Sequence, residues 1–188
     1  MLSRDQAFSL LKEHTPEQNL LFHAVQTEAV MAGLAQRLGK DESLWSITGL
    51  LHDLDYSETK DDPEKHGLVS SRILAESLPR EALTAIEAHN GERNGTAPET
   101  DFDFALRCGE SVTGLIMANA LVRPNGMQGM KPKSLKKKMK EKAFAASVNR
   151  DNIRECEKLG LELGEFFSIA IDSLSRVADE AGLPSGSR

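Results

Sequence analysis

No apolar run in this 188-residue chain approaches the roughly 20 residues that a bilayer-spanning helix needs, so a transmembrane protein is not expected. Cysteine is scarce. Cys108 and Cys156 are too few for a disulfide framework, and without a Cys-x-x-Cys pair they offer neither a zinc site nor a redox motif, which makes a reducing cytoplasm the expected location. The N-terminal stretch Met1 to Lys12 has no basic start and no small-residue cleavage site, so it does not read as a signal peptide. Aromatics are only 5% of residues, and strict apolar/polar alternation of the kind a half-buried strand requires is missing. With 39% hydrophobic and 28% charged residues, the chain can still bury a core, and its length predicts a single domain over residues 1–188.

The apolar residues present recur at helical spacing, which predicts an all-α protein. A first helix is expected from Leu2 to Lys12. Thr15-Pro16-Glu17-Gln18 reads as a capping box opening a second that ends at Leu38 before Gly39. Asp41 caps a third, rich in leucine and centrally placed. A fourth is predicted from Asp62-Pro63 to Leu78 and a fifth from Pro79 to Asn90, then a loop from Gly91 to Pro98. A sixth helix from Glu99 to Val122 leads through a Gly- and Pro-bearing connection to a basic helix from Ser134. A short helix after Asp151 and a last one ending before Gly182 complete the chain, and the tail Ser185 to Arg188 is expected to be loose.

Histidine is rare as well, five in all, and their positions carry the chemistry. His52-Asp53 ends the most apolar helix, with no Lys or Arg at close helical spacing, and an ionised carboxylate buried there needs a cation, a donor cluster or solvent. A metal ion meets that need. On the other predicted helices His23 shares a stripe with Leu20, Val30, Met31 and Leu34, and His89 lies above Ala82, Ala85 and Ile86. Glu110 aligns with Leu106, Thr113 and Met117, and His66 lies in the first turn of the fourth helix with Val69 and Ile73. One such histidine alone is more often a hydrogen-bonded core residue; the set points to a shared site.

The order His23, His52-Asp53, His66, His89, Glu110 resembles the HD superfamily of metal-dependent phosphohydrolases, with further similarity in Pro63-Glu64-Lys65-His66-Gly67, Ala88-His89-Asn90 and Ala120-Leu121-Val122-Arg123-Pro124. The likeness runs from about Leu20 to Gly182, its motifs lie within 20–123, and a small stand-alone HD-domain hydrolase is the nearest subfamily. It implies a helical bundle with the metal site among central helices. It also implies that His23, His52, Asp53 and Glu110 hold one ion and that Asp53, His66 and His89 hold a second, with Asp53 bridging. The usual last ligand is Asp, and here Glu stands in its place. One or two divalent ions (Fe, Mn, Co, Ni, Zn or Mg) would activate water against a small phosphorylated substrate, a phosphomonoester or phosphodiester such as a nucleotide, with His52 and Asp53 at the catalytic centre. Lys65, Asn90 and Arg123 are candidates for holding that substrate. Asp55 either orients a ligand histidine or sits in solvent at the helix end. Two alternatives stand beside this: an HD-type di-iron oxygenase, which uses the same six-ligand arrangement, and a non-catalytic module that keeps the fold and binds a nucleotide or partner, which Glu110 in place of Asp would favour.

Charge is uneven. The formal net charge is −6, yet Lys131 to Lys142 holds seven lysines and one glutamate. Interleaved with Leu135, Met139, Ala143 and Ala146, this run reads as an amphipathic basic helix, either simply solvated or steering an anionic substrate. Without interleaved aromatics to stack bases, nucleic-acid binding is not expected.

Overall fold

A computed structural model describes residues 2–184, and the tail expected to be loose lies outside them. The elements in chain order are α1 (Arg4–His14), α2 (Gln18–Leu38), α3 (Glu42–Leu51), α4 (Tyr56–Thr59), α5 (Leu68–Ile73), α6 (Arg80–His89), α7 (Gly91–Asn94), α8 (Asp101–Leu121), α9 (Pro132–Lys138), α10 (Arg150–Arg154), a 3₁₀ turn Glu155–Leu159, and α11 (Leu163–Arg176). Among the described residues there is no strand, so the protein is all-α.

Local chemistry sets several of the ends. Asp41 accepts a hydrogen bond from the Leu44 amide and opens α3, and Gly39 closes α2 in the left-handed conformation, at φ 65°, that a Cβ disfavours. Thr100 and Asp103 form a reciprocal capping box at α8. The box expected at Thr15 to Gln18 does not form. Thr15 is instead the buried residue that caps the C-terminus of α1, and Glu17 precedes α2 without a side-chain cap.

Two predicted helices are much shorter than their patterns suggest. The fourth is reduced to α5, because residues 61–67 run as successive turns and Gly67, at φ 84°, breaks any helix before Leu68. His66 therefore sits on a turn and not in a first helical turn. The basic helix ends at Lys138, leaving Ala143 and Ala146 off it. The carbonyls of Glu141, Phe144, Ala145 and Val148, which a longer helix would pair internally, are taken by the Arg150 guanidinium. The segment read as a loop from Gly91 contains the single turn α7, and α4 follows α3 where no helix was anticipated.

The core lies where α2 packs along α3 and α8, with α6 and α11 closing its flanks. Contact between α2 and α3 is close because Gly49 has no side chain: a Cβ there would come within 2.8 Å of Met31 Cγ and 2.9 Å of the Thr27 carbonyl. That approach sets the spacing between His23 on α2 and His52 at the end of α3. Trp45 stacks on Phe102 with ring centroids 4.8 Å apart, tying α3 to the start of α8.

Candidate metal centre

Each histidine of the cluster is aimed by its second ring nitrogen. His52 Nδ1 lies 2.8 Å from the Gly49 carbonyl and His89 Nδ1 lies 2.5 Å from the Ile86 carbonyl. A carbonyl can only accept, so both Nδ1 atoms carry hydrogen. His66 Nδ1 donates in the same way to Asp55 Oδ1 at 2.8 Å. His23 Nδ1 meets Thr113 Oγ1 at 3.0 Å, and because that hydroxyl donates to the Glu110 carbonyl, it accepts from His23. Four Nε2 atoms are thereby directed at one carboxylate. Asp53 Oδ1 lies 3.3 Å from His52 Nε2, 3.2 Å from His66 Nε2 and 3.3 Å from His89 Nε2, while Oδ2 lies 3.6 Å from His23 Nε2.

The arrangement asks for a cation. His66 and His89 bring Nε2 atoms within 3.0 Å of each other, which two lone pairs do not tolerate without a proton or a metal between them. In the metal-free protein a proton serves: although burial opposes it, hydrogen bonds to Asp53 and Asp55 push the His66 pKa up to about 10. Burial drives His52 the other way, down to about 3, so its imidazole is neutral and its fully buried Nε2 has no hydrogen-bond partner. Burial likewise lowers His23. Burial alone would raise Asp53, but the surrounding imidazoles hold it well below the usual carboxylate range.

Two groups of three donors have the spacing to grip an ion, His23-His52-Asp53 and Asp53-His66-His89, and Asp53 belongs to both. Neutral imidazole nitrogen with carboxylate oxygen suits borderline and hard divalent ions. An orphaned buried Nε2 and two facing lone pairs are what such ions would satisfy, so the residues present fit the group.

The other expected site residues divide. Asp55 is buried and not in solvent: beyond the His66 bond it accepts from the Gly67 and Ser70 amides, both at 2.9 Å. Glu110 lines the same cleft of about 660 Å³ as Asp53, His66 and His89, but it joins neither donor group. Its carboxylate turns to the hydroxyl of Ser111, and burial raises its pKa to about 8. Asn90 lines the cleft while its amide nitrogen holds the Pro63 and His66 carbonyls, which braces the turn carrying His66. Lys65 and Arg123 are not among the lining residues. Lys65 is an exposed partner of Asp62, and Arg123 binds the Gly126 and Gln128 carbonyls beyond α8.

Several lining or supporting residues had no local signal. Arg93, Tyr56, Ser147, Asn149 and Asn152 reach the cleft from separate segments, Tyr56 packing edge-on to His66 at 5.3 Å between centroids. Arg107, 3% exposed, donates to the Ala88 and His89 carbonyls, to Glu92 and Glu155, and to Asn152, so it secures the end of α6 where His89 stands. A buried arginine inside an apolar helix was a visible anomaly in the sequence, and it is the one clue that could have identified this support.

Among the described residues no helix is long and apolar enough to cross a membrane. No curated protein and no solved structure matches the chain. A family profile described as HD domain matches residues 20–141, a span that contains every histidine of the cluster together with Asp53 and Glu110. Most of that family are metal-dependent phosphohydrolases, and its members bind divalent metals. On that match, and with the His-Asp cluster it brackets, the chain belongs to the HD domain family.

Proposed function

We propose that the protein is a metal-dependent phosphohydrolase that cleaves a phosphomonoester or phosphodiester of a small anionic substrate. The observation that carries this reading is the convergence of four Nε2 atoms on Asp53, with every opposite ring nitrogen committed to an acceptor. His23, His52, Asp53, His66 and His89 would hold one or two divalent ions, which would supply an activated water near neutral pH and positive charge against phosphoryl oxygens.

The chain's own part is orientation and charge. Asp53 stays ionised and is shared by both donor groups. Asp55 keeps His66 turned with Nε2 toward the cleft. Arg93 lines the cleft without an ion-pair partner among the described residues, which makes it a better candidate than Lys65 or Arg123 for holding a substrate phosphate. Asn149 and Ser147, which also line the cleft, are neutral donors for the remaining oxygens.

One observation favours a second reading, a non-catalytic module that binds a nucleotide or partner. Glu110 occupies the position of the usual last ligand and stays outside both donor groups. Metal analysis of protein purified with and without oxygen, followed by assays, separates the possibilities. About two equivalents per chain with turnover of a phosphoester panel supports the proposal. Two irons with dioxygen consumption redirect it to the oxygenase branch of the superfamily. No retained metal after supplementation, with a bound nucleotide returned intact, supports the module.

A further inference from the structure

A second concavity is larger than the histidine cleft. A cavity of about 960 Å³ lies between α9, α10 and the start of α11, and Lys133, Lys136, Lys137, Lys140 and Arg154 line it. It shares no lining residue with the histidine cleft. Four of its cations come from the lysine run, but Arg154 comes from another helix, so the fold assembles the set and local sequence alone does not.

None of the five makes an ion pair or side-chain hydrogen bond among the described residues. Acids are within the same cavity: Glu157 and Glu162 line it and pair with none of them. A lysine kept only for solubility has no reason to be gathered with others around a concavity, where mutual repulsion costs energy. Lys138, in the same run, shows the ordinary alternative, since it pairs with Glu141 at 2.6 Å and covers the Phe144 ring. The floor is apolar, formed by Met139, Leu161 and Leu163, and a low-dielectric wall concentrates the field of the cations above it.

Lys136 adds a sharper detail. Its ammonium lies so near Gly164, in the first turn of α11, that a Cβ there would come within 2.6 Å of Nζ. A cation against the positive end of a helix is the unfavourable sign, and Glu162, which precedes the helix, provides no side-chain cap. An anion seated beside the ammonium and the amides of that first turn would satisfy both.

We infer that this basic cavity is a second ligand site, separate from the metal centre, for a small anion carrying several phosphate groups. Five cations against two acids leave an excess of three positive charges, which matches a compact polyphosphate.

Calorimetric titration of the full chain with tripolyphosphate, in EDTA so that the metal centre is empty, tests this directly. Saturable binding near one equivalent is expected, unchanged in Asp53→Asn. The triple variant Lys136→Gln, Lys137→Gln, Lys140→Gln should weaken it by about tenfold or more, and the affinity of the native chain should fall steeply between low and high salt. These lysines are exposed, so circular dichroism should show the helices intact. Three results overturn the inference. One is the absence of saturable binding by the folded native chain. Another is tripolyphosphate binding that survives the triple variant or disappears in Asp53→Asn. The third is failure to bind tripolyphosphate while a single-stranded oligonucleotide binds with length-dependent affinity, which would assign the cavity to nucleic acid.

Discussion

Replacing Asp55 by asparagine tests how the histidines are aimed, because it alters one ligand's tautomer while removing almost no volume. Asp55 Oδ2 accepts from two backbone amides, Gly67 and Ser70, and Oδ1 accepts from His66 Nδ1. Asparagine has one acceptor oxygen. If that oxygen faced His66, both amides would lose a partner at about 1–3 kcal/mol each, so it stays with the amides and the NH2 group faces His66. An NH2 group cannot accept, so His66 Nδ1 must become the acceptor and the ring is left with its single proton on Nε2, where it points at Asp53 and His89. The lone pair needed by the Asp53-His66-His89 group is lost. Outer-shell changes of this kind cost about 10- to 100-fold in metal affinity, or about 1.4–2.7 kcal/mol. Titration of the metal-free variant with Mn²⁺ or Co²⁺ should show that the affinity at one site is weakened by this factor, and long-range ¹H–¹⁵N spectra should show His66 without a proton on Nδ1. Native affinity and stoichiometry in a folded Asp55→Asn protein, or retention of the Nδ1 proton, would refute the tautomer argument.

Other expectations follow from the same geometry. His52→Ala or Asp53→Ala should abolish metal retention in elemental analysis while circular dichroism shows the helices preserved; full metal content in either variant would sink the site assignment. Gly67→Ala should cost about 2–5 kcal/mol in thermal unfolding, since it adds a Cβ at φ 84° only 2.7 Å from the Ile86 carbonyl that orients His89, and an unchanged melting temperature would contradict this. Arg107→Met should destabilise by about 3 kcal/mol and loosen the end of α6, lowering metal affinity without touching a ligand. That substitution also predicts a pH dependence. Arg107 holds the Glu92 carboxyl below its ordinary 4.5, so the pair contributes stability above that value and loses it as pH falls further. Native protein should therefore lose more melting temperature between pH 6 and acid than Arg107→Met does, and parallel curves would show the pair contributes nothing.

Helix content and the caps at Asp41 and Gly39 were determined by sequence alone, because each depends on neighbours a few positions away. Even part of the aiming is local. His52 and His89 both donate to the carbonyl three residues earlier, which a histidine at the end of a helix can reach from its own backbone. The rest required the fold. Thr113 is 90 residues from His23, Arg154 meets the lysines only through the packing of α10 near α9, and Arg107 reaches the end of α6 and the 3₁₀ turn from α8. Where pattern misled, a tertiary partner had taken over a backbone group, as Arg150 did for the carbonyls after α9, or a glycine had broken the helix, as Gly67 did before α5. Glu110 shows the limit most clearly. Periodicity places it on the inward face of α8, but whether its carboxylate reaches the ligand groups or turns to Ser111 depends on distances between helices that no spacing along the chain encodes.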